Sequence, residues 1–173
     1  MRAAWLVAAI IVAAASCGRR APSTQHVSLG GLGYEMQDGW QRAVTEQRGV
    51  VTAIFTPEDN GHKESVTVIR TRRRPATAHA GAAAIEKLLA RAEGVEIGAR
   101  ASAVSRITTP SGLSGAQIEV DFQPTNLRAT CHRVHVVLVS GQDLIHVMYT
   151  AADPDDGRAV FDRVLHTISR EEA

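Results

Sequence analysis

The segment that most constrains this chain is "ATCHRVHVVLVSGQDLIHVMYTA", Ala129 to Ala151. Two runs rich in β-branched residues flank Gly141-Gln142, a dipeptide suited to a two-residue hairpin turn. Val134 to Val139 is apolar throughout except for His135. A strand without alternation is covered on both faces, so this run belongs in the middle of a layered sheet. A two-residue turn makes Val137 face His146 and Val136 face Val147. That register puts His135 and His146 on one face as diagonal neighbours, within reach of long side chains. Slipping by one residue would separate them altogether.

The rest of the sequence supplies neighbours for this hairpin. "HVSL" and "GYEM" are short strand candidates around Gly30 and Gly31, and Asp38 to Trp40 reads as a turn followed by an aromatic. "VVTAIFT" (Val50–Thr56) and "SVTVIRT" (Ser65–Thr71) are rich in β-branched residues and are separated by the turn formers from Pro57 to Gly61. "VSRIT" and "AQIEVDF" are joined by Pro110-Ser111-Gly112. In the second of these, Ala116, Ile118, Val120 and Phe122 share a face. Two helices are expected. Ile85, Leu88, Leu89 and Ala92 form one apolar stripe, with Gly94 as a stop. Asp153-Pro154-Asp155-Asp156 opens another, with a capping side chain and carboxylates near its positive end. Val160, Phe161, Val164, Leu165 and Ile168 are its buried stripe. The expected fold class is α+β, an α/β/α sandwich in which an antiparallel sheet of about six to seven strands is flanked by helices.

"GYEMQDGW" resembles the opening of the PsbP/DcrB-like fold, an aromatic followed after a short gap by Gly-Trp. "HVMYTAADPDDGRAVFDRVLHTI" is similar to its ending: a strand with Tyr, a small-residue break, and a helix with an aromatic in mid-course. The resemblance runs from about Gly33 to Ile168 and rests on structural motifs. It implies an antiparallel sheet between helical layers. Photosystem subunits, small bacterial lipoproteins and a Ran-binding import factor are of this kind, so it implies binding more than catalysis.

The N-terminus carries a different message. Arg2 precedes "AAWLVAAIIVAAAS", a charged start followed by a short apolar core with small residues at its exit, which is the layout of a secretory signal. Ala3 to Ser16 is short of the roughly 20 residues of a spanning helix. "Ala14-Ala15-Ser16-Cys17" resembles the lipobox of bacterial lipoproteins, with Ala14 where that family most often has Leu. The resemblance implies cleavage before Cys17 and a lipid on its thiol, which holds the protein to a membrane. An ordinary signal cut after Ala13-x-Ala15, leaving Cys17 a plain thiol, is the alternative. The expected organisation is a signal peptide over 1–16, a lipid-anchored tether over 17–25 and one PsbP/DcrB-like domain over 26–173. Gly18 after Cys17 favours an outer membrane facing the periplasm, if the cell is Gram-negative.

Lys and Arg total 19 against 18 Asp and Glu, and Arg2 lies in the signal, so the remainder is balanced. Balanced charge argues against general nucleic-acid binding. With Cys17 acylated, Cys131 has no disulfide partner and reads as a core thiol.

Two sets of side chains could carry chemistry. His135 and His146 could hold a metal ion if a third ligand joined them. The alternative is a pair of packed histidines, and "CHRVH" lacks the second ligand pair of a zinc motif. "RTRRRP" gathers Arg70, Arg72, Arg73 and Arg74 at a strand end. It could hold anionic headgroups, or be a solvated strand end that discourages edge pairing. Tyr34 and Trp40 could line a cleft or anchor the core. "GLSGA" lacks the spacing of a nucleophile elbow, and "GGLGYEM" fails the dinucleotide fingerprint. The expectation is therefore no enzyme and no cofactor. It is an envelope lipoprotein that binds an envelope protein, with a metal- or small-ligand-binding module on the His135/His146 face as the alternative.

Overall fold

The structure is a computed structural model that describes residues 23–58, 64–72, 97–124, 129–141, 143–153 and 157–171. In chain order the strands are β1 (Thr24–Ser28), β2 (Leu32–Gln37), β3 (Trp40–Gln47), β4 (Val50–Pro57), β5 (Glu64–Arg72), β6 (Ile97–Ala101), β7 (Ser105–Thr108), β8 (Ser114–Gln123), β9 (Cys131–Ser140) and β10 (Asp143–Ala151). Helix α1 (Arg158–Thr167) and the short β11 (Ser169–Arg170) follow.

All pairings are antiparallel. Eight strands form one sheet in the order β3-β4-β5-β10-β9-β8-β6, with β7 also paired to β8. The central hairpin has the register its turn dictates, Val137 opposite His146 and Val136 opposite Val147. The apolar run of β9 is covered on both faces, with Val134, Val136 and Leu138 in the larger core and Val137 in a second cluster with Ala116, Ile118, Val120 and Leu144.

The α/β/α sandwich is not what forms. β1, β2 and β11 pair with one another in a separate three-stranded sheet, order β1-β2-β11. The face of the large sheet carrying Phe55, Val68, Val136 and Tyr149 is covered by this small sheet together with α1. Leu32, Tyr34 and Met36 of β2 and Val160, Phe161 and Val164 of α1 enter one shared core. The physical reason is that β2 buries its apolar side chains against the large sheet instead of adding to its edge. The protein is thus mostly antiparallel β-sheet, with a single helix among the described residues. The helix expected over Ile85–Ala92 lies outside them.

Two boundaries also differ. β1 includes Thr24 and Gln25, which the sequence assigns to the tether. Helix α1 begins at Arg158 after Gly157, whose backbone is left-handed (φ 61°) and supplies no side-chain cap, so Asp153 does not open it.

Candidate functional site

His135 and His146 are brought together. Ile118 and Met148 lie opposite His135 on its neighbouring strands, and Val137 and Ile69 lie opposite His146. His135 Nδ1 and His146 Nε2 are 3.0 Å apart, one ring N–H donating to the lone pair of the other. The rings stack with centroids 5.2 Å apart and an angle of 23°. Burial pushes the His135 pKa down to about 3, aided by the neighbouring His146 and Arg133. Burial followed by the Arg133 charge lowers His146 to about 4. Both imidazoles are therefore neutral at pH 7, the form that ligates metals. His135 Nε2 and His146 Nδ1 remain outside their mutual hydrogen bond. Among the described residues no group of three or more His, Cys, Asp or Glu could hold a metal ion. Cys131 is a buried free thiol opposite Phe122, on the same face as His135 but four residue pairs along the sheet from it.

The arginine run divides. Arg73 and Arg74 lie outside the described residues, as does Cys17. Arg70, largely buried, donates from Nε (2.9 Å) and Nη2 (2.6 Å) to one carboxylate oxygen of Asp143. Its charge is thereby neutralised within the fold. A groove of about 220 Å³ beside it is lined by Gly30, Glu46, Gly49, Val51, Arg70 and Arg72, so Glu46 offsets part of the remaining positive charge.

A larger cleft, about 480 Å³, opens where β3 and β4 meet the start of α1. Asp38, Trp40, Glu58, Glu64, Gly157 and Val160 are among its walls. Glu64 is buried and comes so near Gly157 that a Cβ added there would sit 1.9 Å from its Oε2. Only glycine permits both this approach and the left-handed turn. The carboxylate thus lies by the helix N-terminus, where negative charge is favoured. Sequence reasoning did not find this cleft, because Glu64 and Gly157 are far apart in the chain and neither belongs to a motif. Trp40 lines it, whereas Tyr34 is a core residue. The Tyr34 ring meets Phe55 edge-on at 6.0 Å, and burial pushes its hydroxyl pKa up.

No helix of the described residues is long and apolar enough to cross a membrane. No family model matches the sequence, and no curated protein is significantly similar to it. Solved structures are more informative. The chain is similar to the solution structure of cyanobacterial PsbP (CyanoP) from Synechocystis sp. PCC 6803, with a TM-score of 0.59 and 17% identity over 88% of this chain and 95% of that one. It is also similar to the crystal structure of PA94 from Pseudomonas aeruginosa, a protein of unknown function, with a TM-score of 0.51 and 16% identity over 87% of this chain and 99% of that one. At such identities the likeness concerns shape, and it spans nearly the whole of each chain. The fold of this chain is PsbP-like.

Proposed function

We propose that this chain is a non-catalytic binding or accessory protein of the bacterial envelope, anchored through lipid on Cys17. The observation that carries the binding part is the PsbP-like fold, matched over 88% of this chain and 95% of CyanoP. By analogy of fold alone, the resemblance to the PsbP/DcrB-like fold implies binding more than catalysis. The lipobox resemblance at Cys17 supports the anchor, and Gly18 favours the outer membrane in a Gram-negative cell. β1 starts at Thr24, so the segment from Cys17 to the first strand reaches at most about 25 Å when extended. Such a domain works close to the bilayer and meets partners there.

Two measurements test this reading. Cys17→Ser should move the protein from the membrane to the soluble fraction, or leave it as an uncleaved precursor. Processing and sedimentation equal to those of the parent would overturn the anchor. Cross-linking in intact cells followed by affinity purification and mass spectrometry should recover one recurrent envelope protein. Recovery of none would overturn the partner.

The 3.0 Å contact of His135 and His146 favours a second reading, a metal- or small-ligand-binding module on that face. Titrating Zn²⁺ into the purified protein should then give binding of one ion that is lost in His135→Phe. No saturable binding rejects it.

A further inference from the structure

The two edges of the large sheet are built differently. The β6 edge is short, and its register breaks between Ile97 and Arg100. Such irregularity protects an edge from further pairing. β3 has an unbroken register with β4 from Trp40 opposite Pro57 to Gln47 opposite Val50. Gln41 to Gln47 are all exposed, and Val44 is 47% exposed. No proline interrupts this span.

The backbone groups at this edge can be assigned. The Glu58 N–H donates to the Gly39 carbonyl at 3.0 Å. Gly39 and Glu58 extend the β3–β4 register, so Gln41, Ala43, Thr45 and Gln47 turn their N–H and C=O toward β4. Arg42, Val44 and Glu46 turn theirs to the open edge. Those three side chains also share a face, because Arg42 lies opposite Phe55, Val44 opposite Ala53 and Glu46 opposite Val51. Neither Arg42 nor Glu46 has an ion pair among the described residues.

The pattern Arg42-x-Val44-x-Glu46 is self-complementary in an antiparallel sense. We infer that β3 pairs with β3 of a second copy of this chain about a twofold axis at Val44, continuing the large sheet across the dimer. In that register Arg42 of each copy faces Glu46 of the other, and the two Val44 side chains meet. All outward backbone groups of these residues find partners. Sliding one strand so that the axis passes through Arg42 or Glu46 sets like charges opposite each other, which is destabilising. An axis at Ala43 leaves Arg42 facing Val44 and Glu46 facing Trp40, and an axis at Thr45 leaves Glu46 facing Val44 and sets Arg42 opposite Arg48. A C2 contact of this kind is closed and cannot propagate into a fibre. One strand edge buries less surface than the roughly 1,200–2,000 Å² of a standard interface, so the dimer is weak and reversible.

Disulfide trapping of the full chain in detergent tests the inference. In a Cys17→Ser background Cys131 is buried, so an introduced cysteine is the one reactive thiol of the described domain. Val44→Cys places two sulfurs across a hydrogen-bonded pair, whose Cα atoms lie about 5.5 Å apart and within disulfide range. It should cross-link at least ~10-fold faster than Ala43→Cys or Thr45→Cys, whose twins would lie beyond that range. Equal rates at all three positions would overturn the inference. Charge reversal is the second arm, read as dimer fraction by sedimentation. Arg42→Glu or Glu46→Arg should each lower it about five-fold, and the double reversal should restore it. A monomer throughout, or a dimer indifferent to these charges, would overturn it. Because these residues are exposed, the variants keep the parent fold, which circular dichroism verifies.

Discussion

Gly115 of β8 shows how closely two backbones approach in the middle of the sheet. A Cβ added at this position would lie 1.9 Å from the carbonyl oxygen of Val137 and 2.9 Å from the Cα of Leu138. The obstacle is backbone on a central strand, so no rotamer change relieves it. Gly115→Ala should therefore destabilise the fold by about 3 kcal/mol or more, at the upper end of overpacking costs. Urea unfolding followed by circular dichroism measures this, and a loss under 1 kcal/mol would contradict the geometry. The sequence hid this residue, since "GLSGA" draws attention as a failed nucleophile elbow and not as a strand interior.

At the scale of elements, the ion pair of Arg70 and Asp143 ties β5 to β10 from the core side, with their side chains 14% and 8% exposed. Removing one partner of a buried pair leaves the other charge without compensation. Arg70→Met should cost about 3 kcal/mol, while Arg70→Met with Asp143→Leu should cost clearly less. Thermal unfolding of the two variants makes the comparison, and equal losses would show that the pair is not what holds these strands. The strands that were legible in the sequence are those with a buried face. β4, β5, β8 and β10 carry apolar residues at strand period, β9 holds an almost continuous apolar run, and the hairpin between β9 and β10 fixed its own register. β3 was not legible because Gln41 to Gln47 are exposed on both faces, which removes the alternation that marks a strand. β11 is only Ser169 and Arg170, too short to carry a pattern. The start of α1 was misplaced because Asp153-Pro154 imitates a capped helix start, whereas the chain turns through Gly157. The histidine pair was legible from parity alone, but its self-contained hydrogen bond was not, since ring orientation depends on packing.

For the whole molecule, the two buried imidazoles link stability to pH. Unfolded, both titrate near 6.5; folded, they titrate near 3 and 4. Between those values the unfolded chain holds more protons, so unfolding is favoured as the pH falls. Stability that is complete above about pH 6.5 is lost progressively below it. Each histidine contributes at most about 1.4 kcal/mol per pH unit. Between pH 7.5 and 5 the urea midpoint should fall, and His135→Phe should flatten that slope. An unchanged slope in this variant would mean the pair does not govern acid sensitivity. Glu171, whose pKa is lowered by hydrogen bonds from Ser28 and His26, acts only in the more acidic carboxylate range.

Those same contacts have a topological consequence. β1 and β11 both pair with β2, and His26 Nε2 lies 2.8 Å from Glu171 Oε1. Arg170 also reaches across to Ser140 beside the central hairpin turn, at 2.7 and 2.8 Å. The first and last strands among the described residues therefore flank β2 and run parallel to each other, the end of β11 lying across β2 from the end of β1. A bridge of about a dozen residues crossing over β2 could join the end of β11 to the start of β1 and close the polypeptide into a ring while keeping every pairing. New ends could then be opened at an exposed turn elsewhere. In such a circularly permuted protein the order of strands along the chain would change while their order in space would not.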